Sequence, residues 1–399
     1  MTSPARQFWV IAHRWAGLTI ALFLIVAGAT GTLLAFYDEL YDATAEWRVV
    51  EPPRQGAVPL DALALNRAAA DAAPPGYALG GIRLNVEPHR VLEVGLEPAD
   101  PETQPYLDAA VDPYTSKVVK IHEWGKISDG ADQIMPFVYQ LHYKLALGDV
   151  GLWAFGIAAL IWTLDCFVGF YLTLPRTRWR GWSKSWRVRW PSSPYRLNFD
   201  LHRAGGLWLW PVLLVFAWSS VAMNLREVYD PVMKALGAES VYTRLPDNPA
   251  PAGFKPDYAR ALADARRLAA DAVAARGTSV ASEGYLYFDA AKGVFDYSFS
   301  TSGDFTSKGN WSLLMFTPEG ELKLLALADG GLDYGGADNW LLSLHMAQVG
   351  GLPYRIFVAA LGLLIVMLSV TGVVIWMKKR GARLARAARP ALPSPVPAD

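Results

Sequence analysis

HRWAGLTIALFLIVAGATGTLLAF, residues 13–36, sets a histidine and an arginine at the mouth of a long apolar run. The same opening returns as HRAGGL at residues 202–207, again leading an apolar run. A bilayer core needs about 20 apolar residues in helix. Four stretches meet that need, at about 8–37, 151–174, 202–225 and 353–377. Pro211 falls inside the third, where a helix in lipid tolerates a kink if its neighbours satisfy the freed carbonyl.

Composition agrees with a chain that is only partly membrane. Of 399 residues, 52% are hydrophobic and 19% charged, too apolar for an ordinary soluble enzyme and too polar for a pure helix bundle. The formal net charge is zero, so no basic field invites nucleic acid. The single cysteine, Cys166, excludes an internal disulfide and a cysteine-based cluster. No cleavage site is evident before the acidic YDEL that follows the first apolar run, which reads as a retained span.

Short basic segments set the direction. The connection 175–199 carries Arg176, Arg178, Arg180, Lys184, Arg187, Arg189 and Arg196 and no acid, and the tail after Met377 is also basic. The positive-inside rule places both, and the N-terminus, in the cytoplasm. The chain then divides into a first span (8–40), an outside module (41–134) and a histidine-bearing segment with the second span (135–174). The basic loop (175–199), third span (200–225) and second outside module (226–338) follow. A second histidine-bearing segment with the fourth span (339–377) and the tail (378–399) complete it. In a bacterial inner membrane the modules are periplasmic. Each reads as α+β: a helix over 59–73 or 256–277, then alternating strand-like runs, with turns of similar type at VDPYTSKVV and FTPEGELKL.

The chain also repeats itself. QLHYKLALGDVG at 140–151 matches SLHMAQVGGLP at 343–353, and His142 to Gly169 and His345 to Gly372 both span 27 residues. The expected fold is therefore a membrane α-helical bundle of four spans, with an internal two-fold pseudo-repeat about an axis near the membrane normal, plus two periplasmic α+β modules. Four of the six histidines occupy repeat positions, His13 with His202 and His142 with His345. Topology puts the first pair near the inner face and the second near the outer face. Facing imidazoles in a helix bundle cradle b-type haem, each giving one axial nitrogen to the iron. Arg14 and Arg203 follow the inner pair and could meet the propionates, and Gly17 and Gly206 would leave room for a porphyrin plane. A lone histidine at a helix mouth is more often interfacial; four at two depths favour ligation.

Asp165 stands at mid-span, where an acid is costly and marks a functional candidate. Its repeat position holds Leu368. The carboxyl could orient a ligand or take up a proton, or simply bond between helices as a protonated acid. His89 and His122 have no repeat partner and read as surface residues, with His122 the better placed for a substrate contact. At one His pair per face, the levels stand as much as ~25–30 Å apart, unless the breaks at GDVG and GGLP tilt the outer segments inward. Trp208, Trp210 and Trp218 are candidate bridges.

HRWAGL…GTLLAFYDEL, VDPYTSKVV, LHYKLALGDVGLW…GFYLTLPR, DLHRAGGLWLWPVLL and LHMAQVGGLPYRI…SVTGVVIWMKKR, in that order, resemble the PepSY-associated transmembrane family. The likeness is closest to its FoxB-like bacterial inner-membrane ferric-siderophore reductases. It implies two periplasmic PepSY-like modules, two b-type haems held by His13, His142, His202 and His345, and electron delivery to ferric iron in a periplasmic siderophore. The DPxTG turn of the family reads DPYTS in the first module and TPEG in the second. No GxGxxG follows a strand, so the donor, cytoplasmic or quinol, is not encoded in the chain. The alternatives are a haem-free binding or regulatory membrane protein and a siderophore or metal permease.

Overall fold

The computed structural model describes residues 3–101, 103–175, 179–238, 245–306, 312–328 and 336–387. Arg176 and Arg178 of the basic connection and Arg389 of the tail lie outside them, as do the side chains of Arg180 and Arg386. Four helices are long and apolar enough to cross a membrane: α1 (Pro4–Leu34), α5 (Gly148–Thr173), α6 (Pro194–Asn224) and α10 (Gly351–Ala387). A proline in the first turn starts both α1 and α6, where its missing N–H costs nothing. The Ser3 hydroxyl also caps α1 by accepting the Arg6 N–H.

These starts correct one expectation. α6 begins eight residues before His202 and α1 nine before His13, so neither histidine stands at a helix mouth. Each lies more than two turns inside, about 12–14 Å along the axis.

The four long helices close a ring. α1 packs most extensively on α10 and α5 on α6, with α1–α5 and α6–α10 as the lesser contacts. Where α1 crosses α10, Gly28 and Gly362 meet backbone to backbone: a Cβ on Gly28 would stand 2.6 Å from the Gly362 carbonyl oxygen. Only glycine permits that approach, the small-residue crossing typical of helices in lipid.

Two short helices fold back onto the ring. α4 (Ile134–Lys144) ends in left-handed residues Leu145 and Ala146, and α9 (Gly336–His345) is followed by left-handed Ala347 and by Gly350 and Gly351 at positive φ. Such residues stop a helix and reverse the chain. The segments bearing His142 and His345 are thereby turned against α1 and α6 instead of running straight into the next span. Two further helices, α2 (Tyr37–Thr44) and α7 (Arg226–Ala235), follow α1 and α6 directly at this end.

Beyond that end stand two antiparallel sheets. The first runs β1 (Tyr77–Leu79), β3 (Leu92–Pro98), β4 (Leu107–Val111), β5 (Val118–Glu123) under α3 (Ala62–Asp71). The second runs β2 (Ile82–Arg83), β6 (Val280–Asp289), β7 (Val294–Thr301), β8 (Ser312–Phe316), β9 (Leu322–Ala326) under α8 (Tyr258–Ala274). The turns differ from the family pattern harmlessly: Ser116 and Gly320 take the positive φ that each tight turn needs.

β2 joins what the sequence divides. It belongs to the first outside stretch, yet Ile82 pairs with Leu286 and Arg83 with Tyr285 on the second sheet. Ile82 and Leu84 enter one core with Leu262, Leu286, Tyr297 and Phe316. Through this strand the two stretches share one hydrophobic core, while Leu65, Leu92, Val94, Leu96 and Val111 form a second core under α3.

Candidate functional site

The four repeat histidines meet in two pairs. The His13 and His202 ring centroids are 6.2 Å apart and those of His142 and His345 are 6.1 Å apart. One metal ion between two imidazole nitrogens, at a bond length of about 2.0 Å each, sets ring centres about 6 Å apart. Both pairs have that separation.

Each ring is oriented by a hydrogen bond through Nδ1. Thr30 Oγ1 donates to the Val26 carbonyl, so it accepts from His142 Nδ1 at 2.9 Å. Ser219 Oγ likewise donates to the Phe216 carbonyl and accepts from His345 Nδ1 at 2.7 Å. Thr30 and Ser219 fall at matching places, each 17 residues after the first histidine of its helix. His202 Nδ1 donates to the Leu368 carbonyl at 2.9 Å, with the Thr371 hydroxyl at 3.2 Å. His13 Nδ1 stands 2.9 Å from both carboxylate oxygens of Asp165. An acceptor at every Nδ1 fixes all four rings as the Nδ1–H tautomer, with the lone pair on Nε2. That is the form in which a neutral imidazole binds a metal.

Glycines make room for the rings. A Cβ on Gly31 would lie 3.1 Å from His142 Cε1, one on Gly372 3.1 Å from His202 Cε1, and one on Gly169 3.6 Å from His13 Cε1. Gly17 and Gly206, expected to leave room for a flat ring, are placed differently. Those border open space, with nothing within 4 Å of an added Cβ. Gly169 and Gly372 were legible as the ends of the 27-residue spacing, whereas nothing local marks that Gly31 meets a ring.

The His142–His345 level opens on a cleft with about 1240 Å³ of empty space, counting its mouth. Phe23, Leu24, Ala27, Trp162, Phe216 and Leu361 line it, a mostly apolar wall broken by the two imidazoles and by Ser220, Asn224 and two tyrosines. Phe216 also stacks on His345, with centroids 4.9 Å apart. Trp162 was not singled out from sequence. It lies one turn from Asp165 on α5 and so stands between the two levels. Of the expected bridges, Trp208 is 52% exposed and donates to the Trp186 carbonyl, facing away from the bundle. Trp210 donates to the Cys166 carbonyl inside the ring, and Trp218 packs on Tyr229 near the sheets. The levels are about 25 Å apart along α1, the rise from His13 to Thr30 at ~1.5 Å per residue.

The two ends of the bundle differ in charge. At the His13–His202 end, buried Asp200 accepts from Arg189 at 2.8 Å and 2.9 Å and from Arg203 at 2.9 Å, pinning the basic connection to α6. Arg203 also donates to the carbonyls of Lys184, Ser185 and Arg187. Its guanidinium is committed to the chain, which departs from the expected contact with a propionate. Arg14 is half-buried and close enough to Lys379 for their charges to interact.

His89 is exposed, as expected. His122 is not: it is 4% exposed on β5, its ring edge-on to Trp47 at 5.1 Å, and neither ring nitrogen has a hydrogen-bond partner. Burial, with Lys120 nearby, pushes its pKa down to about 4. Trp47, 75 residues earlier in the chain, covers the ring, a partner that no local pattern announces. His122 is therefore a core residue and not a substrate contact.

Among the described residues, no cluster of three or more His, Cys, Asp or Glu could hold a bare metal ion. Two imidazoles alone leave a metal under-coordinated, so the pairs suit a metal that brings its own equatorial ligands. A planar macrocycle between helices does so. One family model matches the chain, the PepSY-associated TM region, over residues 10–379. No curated protein matches it.

Proposed function

The chain belongs to the PepSY-associated TM family and is a multi-pass membrane protein, and from that premise we propose that it is a di-haem b ferric-siderophore reductase of the bacterial inner membrane. When bound, two b-type haems supply the one-electron chemistry that links a cytoplasmic or quinol donor to ferric iron in a periplasmic siderophore. The carrying observation is the pair of imidazole couples, 6.2 and 6.1 Å between ring centres, with every Nδ1 engaged by an acceptor.

Charge supports the orientation. Arg189, Arg203 and Lys184 gather at the His13–His202 end, which is the cytoplasmic face by the positive-inside rule, so the sheets are periplasmic. The two halves read as a pseudo-twofold repeat: α1 with α6, α5 with α10, and Thr30 with Ser219 as acceptors to the outer rings.

In this reading the residues have separate tasks. His13 and His202 would hold the inner group and His142 and His345 the outer one. Thr30, Ser219, Asp165 and the Leu368 carbonyl keep the rings turned. Phe23, Leu24 and Leu361 exclude water from the outer level. Ferric iron in an oxygen chelate is held far more tightly than ferrous iron, because the hard trivalent ion prefers anionic oxygens. One electron per iron thus frees the metal as ferrous ion and leaves the chelator intact.

Absorption spectroscopy of the purified protein tests this. A Soret band with sharp α bands on dithionite, and two haems per chain, is the expected result. Stopped-flow reoxidation by a panel of ferric chelates should then show oxidation by hydroxamate-type complexes. A folded protein that stays colourless after haem supplementation would overturn the proposal.

A further inference from the structure

The repeat is broken at one chemically decisive place. Asp165 on α5 and Leu368 on α10 hold equivalent positions, each 23 residues after the histidine of its own half. At 368 the backbone carbonyl accepts the His202 Nδ1–H. At 165 a carboxylate, both oxygens 2.9 Å from Nδ1, faces His13, and its side chain is 11% exposed. The outer rings meet neutral groups: the Thr30 and Ser219 hydroxyls, each of which already donates to a backbone carbonyl, and at His142 also the Ala27 carbonyl. One of the four imidazoles therefore has a carboxyl partner, and it belongs to the inner pair.

We infer that Asp165 makes the His13–His202 site the lower-potential of the two, so that the direction of electron flow, from the inner level to the outer, is built into the chain. This rests on the di-haem reading above. The physical argument has two parts. An Nδ1–H donated to a carboxylate moves electron density onto Nε2 and makes it a stronger donor, which favours the ferric over the ferrous state. A carboxylate in a poorly solvated site also stabilises the more positive of two oxidation states across space. The outer site has neither effect. Its acceptors are uncharged and its cleft is mostly apolar, which favours the less charged ferrous state. The step balances without protons: one electron leaves the inner site and one enters the outer, supplied by the donor and removed by ferric iron in the chelate.

Asp165 is a positioning and tuning residue in this account, since it acts through His13.

Redox potentiometry of the whole protein in detergent tests the inference. The two sites are assigned by the single-haem forms, His202→Ala keeping the outer and His345→Ala keeping the inner. In the unaltered protein the inner midpoint should lie below the outer. Asp165→Asn should raise the inner midpoint by at least a tenfold change in its reduced-to-oxidised ratio at fixed ambient potential, about 59 mV for one electron. The outer midpoint should stay in place, and Asp165→Glu should restore most of the difference. An inner midpoint above the outer in the unaltered protein overturns the inference whether or not any variant folds. An unchanged inner midpoint in Asp165→Asn with both pigments present overturns it too. A colourless protein is a different failure, that of the di-haem reading.

Discussion

The His13–His202 and His142–His345 pairs, inner and outer in the proposed orientation, reach nearly the same ring separation, 6.2 and 6.1 Å, by different construction. His13 and His202 sit within the long helices α1 and α6, more than two turns from their starts. His142 and His345 lie in the last turns of the short helices α4 and α9, which left-handed residues turn back against the ring. The inner pair leans on a carboxylate and a carbonyl, the outer on two hydroxyls at matched positions. A geometry that recurs while its supports differ points to a constraint on the ring-to-ring distance itself. The supports are free to set something else.

The sharpest way to break that comparison is to remove one ring from each level. His345→Ala should cut haem content from two per chain to one and leave the inner spectrum, while His202→Ala does the reverse. Pyridine haemochrome titration reads the ratio. Loss of both pigments from a folded single variant would mean that the pairs are not independent sites.

The unmated fifth histidine supplies the contrast. His122 folds with its pKa lowered from 6.5 to about 4, by burial first and by Lys120 second, against the weaker pull of Asp132 and Asp129. The unfolded chain takes up a proton near pH 6.5 and the folded chain resists until near pH 4. Stability is therefore full above pH 6.5 and falls as pH drops through that window, by up to about 3 kcal/mol. His122→Phe should flatten the thermal stability profile between pH 6.5 and 4. A profile as steep as the parent's would show that other groups cause the slope.

Glycine packing separates the levels more finely. Gly31→Ala presses a Cβ to 3.1 Å from the His142 ring, and Gly169→Ala leaves 3.6 Å to His13, an ordinary contact. The first should broaden the outer α band and cost about 1 kcal/mol in thermal stability; the second should change neither. Equal effects would deny the difference in clearance.

The smallest effect is expected at the outer acceptors. Ser219→Ala removes one neutral hydrogen bond to His345, worth about 1 kcal/mol, and should loosen the outer pigment without shifting the inner spectrum. Haem dissociation into apomyoglobin measures it, and a shift at the inner level would contradict the separation of the sites.

Much of this was written in the sequence. Apolar length marked the four spans, and the double occurrence of HR-x-x-G-L and of LH with its 27-residue spacing to glycine picked out the four histidines as pairs. Asp165 stood out because an acid within a span is rare. What stayed hidden needed partners that are distant along the chain. His122 is covered by Trp47 from a distant part of the chain, and β2 leaves its own stretch to pair with β6. Arg203 answers to Asp200 and to carbonyls of the basic connection, and Trp208 faces outward.

Local pattern and periodicity, then, determined which segments are apolar helices and which imidazoles correspond, since hydrophobic length and repeat spacing are properties of adjacent residues. Only the tertiary structure decided which atom each Nδ1 meets, which glycines face a ring and how the sheets share a core. Those depend on helix rotation and strand register, set where residues far apart in sequence pack together.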